Sequence, residues 1–122
     1  MREILFRGKG INDKEWRYGF YTEQQGYPYL TPDGVAMYEI DANTAGQYTG
    51  FVDKNGKKIF EGDIVCMDDW IPPCMQVAYA QGTFYLAEIE KPVKYYGDIY
   101  YLNHGGNPCA KVIGNIYDDL SY

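Results

Sequence analysis

YTGFVDKNGKKIFEGDIV, residues 48–65, decides the fold. Asn55-Gly56 sits between two runs of apolar and charged residues. It is a dipeptide favoured where both central residues of a tight turn take positive φ, so residues 50–54 and 57–60 are expected to fold back on each other as a hairpin. A second glycine turn follows at Gly62, beside Asp63, whose carboxylate can accept from nearby backbone amides, and residues 64–67 continue as a strand. The stretch reads as scaffold.

Outward from this block, no window of a dozen residues shows clean helical periodicity free of glycine or proline, whereas short alternating runs bounded by turn residues recur. Residues 2–7 and EWRYGFY (15–21) form an opening hairpin with Trp16, Tyr18 and Phe20 on one face. Pro28 and Pro32 fence a short extended segment around Tyr29 and Leu30 and confine it to an edge or an end. VAMYEID (35–41) forms another strand, and DANTAGQ (41–47) holds one helical turn capped by Asp41 and ended by Gly46. DDWIPPC (68–74) is a loop, because two adjacent prolines do not fit inside a ladder.

MQVAYAQGTFYLAEI (75–89) is expected to pair residues 76–80 with 83–88 about Gln81-Gly82. Tyr79 then lies opposite Phe84 and Val77 opposite Leu86, all four facing the core. The tyrosine-rich stretch 90–109 carries a strand at 98–102. A last strand over 111–117 contains a glycine that marks a bulge or a close backbone approach. The expectation is one all-β domain with little helix: an N-terminal antiparallel portion, residues 1–46, and a small partly open barrel, residues 47–122, like Src-homology-type barrels.

Composition agrees. The chain has 122 residues, 46% apolar and 23% charged, a single-domain length with globular balance. Its departure from average is 14 tyrosines against two Trp and five Phe, which suits half-buried sheet faces and contact surfaces alike. Eleven Lys and Arg against seventeen Asp and Glu leave a net charge of -6. That balance disfavours duplex nucleic acid, whose affinity comes mainly from neutralised phosphates, and suits a basic protein partner. The N-terminus is not a signal peptide and no stretch is apolar enough to span a membrane, so a cytoplasmic location is expected. Three cysteines, Cys66, Cys74 and Cys109, fit reduced thiols rather than a disulfide framework.

REILFRG (2–8), QYTGFVDKNGKKIFEGDIV (47–65) and VIGNIYDD (112–119), in this order and spacing, resemble the YopX family of bacteriophage and prophage proteins. EWRYGFY and TAGQYTG (44–50) also resemble it, so the likeness spans essentially the whole chain. It implies a small mainly-β protein with a barrel-like core and implies no activity, catalytic residue or cofactor. The positions carried over are Tyr48, Thr49, Gly50, Asp53, Gly56, Ile59, Glu61, Gly62, Asp63 and Ile64, with Ile113, Gly114, Asn115 and Ile116. Residues 68–73 and the tyrosine-rich stretch after Lys91 match no family motif and are where anything peculiar to this chain is expected.

Three functional readings follow. The leading one is a non-enzymatic accessory module that binds a protein partner or itself, with Tyr95, Tyr96, Tyr100 and Tyr101 as its surface, since tyrosine is enriched at interfaces. The second is a single-stranded nucleic-acid binder using those tyrosines as a stacking platform, although only Lys91 and Lys94 lie nearby as cations. The third is a metal-stabilised domain or metal-dependent enzyme built on Cys66, Cys74, His104 and Cys109, which lack the close cysteine spacing of zinc sites. Glu61 and Asp63 flank a turn and have no His, Ser or Cys partner at a suggestive spacing, so turn chemistry outweighs acid–base catalysis.

Overall fold

The computed structural model describes residues 4–90, 94–104 and 107–118. The fold is all-β: among the described residues, helix is confined to two 3-10 turns, Ala42–Thr44 and Ile99–Leu102. The chain divides into two compact units, Met1–Tyr48 and Thr49–Tyr122, and the division falls inside the fifth strand.

The first unit comprises β1 (Phe6–Lys9), β2 (Trp16–Gln24), β3 (Tyr27–Thr31), β4 (Tyr38–Glu39) and the start of β5 (Gly46–Val52). They run antiparallel in the order β4-β3-β2-β1-β5. The opening hairpin is present, but its first strand is Phe6–Lys9 rather than residues 2–7, of which 2 and 3 lie outside the described residues; Phe6 is opposite Gly19 and Lys9 opposite Trp16. Gly19 permits a close approach: a Cβ there would lie 2.5 Å from the Thr31 carbonyl oxygen. A two-residue turn, Gln25-Gly26, joins β2 to β3 with positive φ at both positions.

Two expectations change in this unit. β3 is flanked by strands on both sides rather than lying at an edge. Pro28 is tolerated because its carbonyl accepts from the Ile40 amide, which turns its ring nitrogen toward β4, and β4 pairs only with Tyr29 and Leu30. The strand expected over residues 35–41 shrinks to Tyr38–Glu39. Asp41 caps the following 3-10 turn, its Oδ1 accepting from the Asn43 amide at 3.0 Å.

The second unit holds the rest of β5, then β6 (Lys58–Phe60), β7 (Asp63–Cys66), β8 (Cys74–Ala80), β9 (Thr83–Ala87) and β10 (Tyr95–Asp98). β11 (Asn103–His104) and β12 (Asn107–Pro108) form a small ladder before β13 (Lys111–Asn115). Its main sheet has the order β10-β9-β8-β7-β13, so it is a small, partly open β fold that is not closed into a barrel. Ile59, Val65, Met75, Val77, Leu86 and Leu102 are fully buried in one cluster. Each such side chain stabilises the fold by about 1.5–3 kcal/mol relative to exposure.

The β8–β9 register is the expected one: Tyr79 faces Phe84, Val77 faces Leu86, and Gln81 and Gly82 both take positive φ. Val77, Phe84 and Leu86 are buried. Tyr79 is not; it is 44% exposed beside the turn, with its ring edge against Phe84 at a centroid distance of 4.9 Å. Its position at the end of the sheet leaves the hydroxyl end in water, where a phenol is best solvated.

The strand expected at 98–102 resolves into two elements. β10 ends at Asp98, and the 3-10 turn's three-residue repeat puts Ile99 and Leu102 into the core while Tyr100 and Tyr101 point outward. The last strand ends at Asn115 rather than residue 117, and the ladder to β7 shifts register between Val112 and Gly114.

Candidate functional site

Thr49, Asp53 and Asp63 of the central block are buried against backbone. Asp53 is 2% exposed, and its Oδ1 accepts from the amides of Asn55 (2.8 Å) and Lys57 (2.9 Å) while its Oδ2 accepts from Val112 (3.0 Å). Burial pushes its pKa up, but the amides of Val112, Lys57 and Asn55 outweigh it and hold the carboxyl below its ordinary 3.8. The hairpin tip differs from the expected two-residue turn. Gly56 has φ +81, but Asn55 does not take positive φ; the Gly56 amide bonds Asp53 and the Asp53 amide bonds Lys57. This is a three-residue loop, a type I turn closed by a left-handed glycine.

The other motif positions divide between backbone-bonded polar groups, glycine turns, core isoleucines and exposed ones. Tyr48 is buried in the first unit, its amide donating to the Leu5 carbonyl. Thr49 donates its hydroxyl to the Ile59 carbonyl at 2.8 Å, and Gly50 has φ +92. Asp63 is 1% exposed, with Oδ2 accepting from the Phe60 amide at 2.8 Å, and half-buried Glu61 precedes Gly62. Gly62 has φ +92, and a Cβ there would meet the Tyr117 ring at 2.7 Å. Asn115 accepts from the amides of Tyr117 and Asp118 and donates to the Asp118 carboxylate. Ile59 and Ile64 are in the core, Gly114 sits at the bulge, and Ile113 and Ile116 are exposed.

The other end of the same unit is built differently. Cys66 and Cys74 are joined as a disulfide, which overturns the expectation of three reduced thiols. The two cysteines lie directly opposite in the β7–β8 ladder. Because the Met67 amide bonds the Pro73 carbonyl, the Cys66–Cys74 pair is the non-hydrogen-bonded kind, in which Cα atoms come close; here they are 4.1 Å apart. The bond closes residues 67–73 into a ring, in which the Ile71-Pro72 peptide is cis. Cys109 keeps its thiol, in contact with the Tyr101 and Leu102 carbonyls at 3.2 Å and with Met67 sulfur at 3.8 Å.

Two clefts border this ring. In one, of about 460 Å³, Ile71, Pro72 and Cys74 face Glu88, Ile89 and Glu90, with Tyr96 completing the lining. Gln76, buried, fixes the acidic segment by donating its side-chain amide to the carbonyls of Glu88 (3.1 Å) and Ile89 (2.7 Å). The second, of about 450 Å³, is lined by Met67, Asp68, Asp69, Trp70, Tyr101 and Cys109. Trp70 meets Tyr101 edge-on at 5.2 Å, and both rings lie over Gly97, where a Cβ would come within 3.0 Å of Tyr101 and 3.3 Å of Trp70.

Three of the four tyrosines expected at a contact surface are exposed: Tyr95, Tyr100 and Tyr101; Tyr96 is half-buried. The Tyr95 ring lies tilted against Tyr85 at 6.0 Å, and its hydroxyl donates to the Asp98 carboxylate at 2.8 Å, which raises its pKa. Tyr100 meets Phe51 edge-on at 5.6 Å, and the Lys94 ammonium lies 5.8 Å from the Tyr96 ring centre. Ile71, 98% exposed, and Glu88 and Glu90 join these tyrosines; the sequence marks Ile71 only as part of the 68–73 loop and Glu88 only as the end of a strand.

For the metal reading, disulfide formation removes two of the four named donors as thiolates. The His104 side chain and Lys91 lie outside what is described. Among the described residues, no three His, Cys, Asp or Glu side chains gather as a metal site. No helix among the described residues is long and apolar enough to cross a membrane.

An all-β scaffold whose polar motif residues serve the backbone, with one irregular end, is the class of protein defined by this geometry. The family profile described as YopX protein matches residues 6–120, and the chain belongs to the YopX family. A search of the curated proteins finds no match.

Proposed function

We propose that the chain is a non-enzymatic protein-interaction module, acting in a phage or prophage setting in the bacterial cytoplasm. Its contact surface is the end of the Thr49–Tyr122 unit that carries the disulfide ring. The observation that supports this reading is the exposure of apolar side chains there, with Ile71 (98%) and Tyr101 (56%) lining two clefts and Tyr100 (73%) beside Tyr101 in the 3-10 turn. Exposed apolar groups of this kind mark contact surfaces, and rigid tyrosines supply contact area at low entropic cost.

The test compares tagged wild-type chain with Ile71→Ser/Tyr100→Ser in quantitative capture from bacterial lysate, with sedimentation to detect self-association. The reading expects a stoichiometric protein partner, or a self-associated species, that the double variant loses while its melting curve is unchanged. Equal capture by both forms counts against it. So does steeply salt-dependent binding of a single-stranded oligonucleotide with no protein captured.

A further inference from the structure

Resting on that reading, we infer that the partner is a basic protein segment that places one bulky apolar side chain in the cleft between Ile71-Pro72 and residues 88–90. The cleft, about 460 Å³, has apolar walls from Ile71, Pro72 and Ile89 and two carboxylates, Glu88 and Glu90, at its lining. The neighbouring cleft adds Asp68 and Asp69. Among the described residues, no Lys or Arg lines either one. Among the described residues, the nearby Lys94 sets its ammonium over the Tyr96 ring, one positive charge against the four carboxylates of the two linings. A peptide bearing Lys or Arg beside a Leu or Trp therefore matches both features of the surface, the apolar slot and the acidic surround.

The alternatives fit less well. A second copy of this chain, docked through the same surface, would set these carboxylates against their own duplicates, and like charges in apposition are repulsive. A nucleic-acid strand would meet the same carboxylates with its phosphates. The cleft is also held in shape before any partner arrives. The Cys66–Cys74 bond closes one wall, and the paired hydrogen bonds from Gln76 fix the backbone of the other, so little ordering remains for the binding step.

The test uses the full chain, amide NMR and four probes: a short Lys/Arg-rich peptide with a central Trp, the same peptide with Glu in place of each cation, the same with Ala in place of Trp, and an oligo-dT strand. The Trp-bearing cationic peptide is expected to shift the amides of Ile71, Glu88, Ile89, Glu90 and Tyr96, and the charge-reversed peptide to leave them in place. Glu88→Gln/Glu90→Gln, confirmed as folded by its own spectrum, is expected to weaken binding by about three- to tenfold, and added salt to weaken the wild type further. Equal binding of the charge-reversed or Ala peptide, shifts confined to other residues, no shift at all, or no effect of the double variant overturns the inference. Preference for the charge-reversed peptide at the same amides removes the basic partner and leaves the interaction module standing. Shifts from oligo-dT alone remove both.

Discussion

Within the Thr49–Tyr122 unit, the family block and the disulfide-bearing end treat polar and apolar side chains in opposite ways. In residues 49–65 and 111–118 Thr49, Asp53, Asp63 and Asn115 are buried with the backbone as their partner: Thr49 donates to a carbonyl, and the other three accept from amides. Around residues 68–73 and 94–101 the side chains of Ile71, Tyr95, Tyr100 and Tyr101 point outward, and Asp68, Asp69 and, just past β9, Glu90 are exposed. A family pattern made of buried hydrogen-bonding residues specifies a shape and leaves the chemistry of the surface to the segments outside it.

Substitutions can break or sharpen this contrast. Neighbours on one strand repeat it in miniature: Phe84 is buried and Tyr85 half-buried, so Phe84→Ala should lower unfolding free energy by about 3–5 kcal/mol and Tyr85→Ala by clearly less, as read in urea titrations. Equal losses would mean that the two faces of β9 are not distinguished. Asp53→Asn should cost about 3 kcal/mol, because an amide nitrogen in place of one oxygen turns a donor toward a backbone N–H. Gly62→Ala should cost about 2 kcal/mol, from positive φ and the close Tyr117 ring together.

The pH dependence follows from Asp53. Its folded pKa is depressed, so its contribution is fully present above the unfolded value of about 3.9 and is lost as pH falls through the lower folded value. Wild-type stability should therefore drop more steeply than that of Asp53→Asn as acid is added below about pH 4. Parallel acid profiles would remove Asp53 as the titrating group. The smallest effect belongs to the outward end: Ile71→Ser should change stability by no more than about 0.5 kcal/mol. A larger loss would make the ring part of the core and erase the contrast.

The features legible in the sequence were local ones. Gln81-Gly82 set the β8–β9 register because a two-residue turn leaves only one pairing, and Gly56 announced positive φ. Gln25-Gly26 makes a turn of the same kind, yet Pro28 interrupts the run that follows it, so the pairing with β2 is not legible there. The extra residue at the Asn55-Gly56 tip is explained by Asp53, whose side chain reaches two amides of the loop. Its third bond, to Val112, is 59 positions away and lay beyond any pattern in residue spacing. The disulfide was hidden for a related reason: an odd cysteine count argued against it, and only the ladder on either side of a proline-containing loop sets Cys66 opposite Cys74. The candidate surface was legible as tyrosine-rich composition, but the acidic walls of its clefts needed β9 and its extension to be placed first.

The bond from Asp53 to Val112 also bears on how the chain matures during synthesis. β7 receives β13 as its neighbour, and the Asp53 carboxylate receives the Val112 amide, only after the ribosome has released residues near 111–115. Until then Asp53 keeps the Asn55 and Lys57 amides but lacks the one from Val112, and the edge of β7 that pairs with β13 is open. Non-local closure of this kind is slow and leaves strand edges available for wrong pairings. The YopX block is therefore the first part of its unit to be made and among the last to become stable, and a nascent chain stopped short of β13 should remain sensitive to protease throughout residues 49–66.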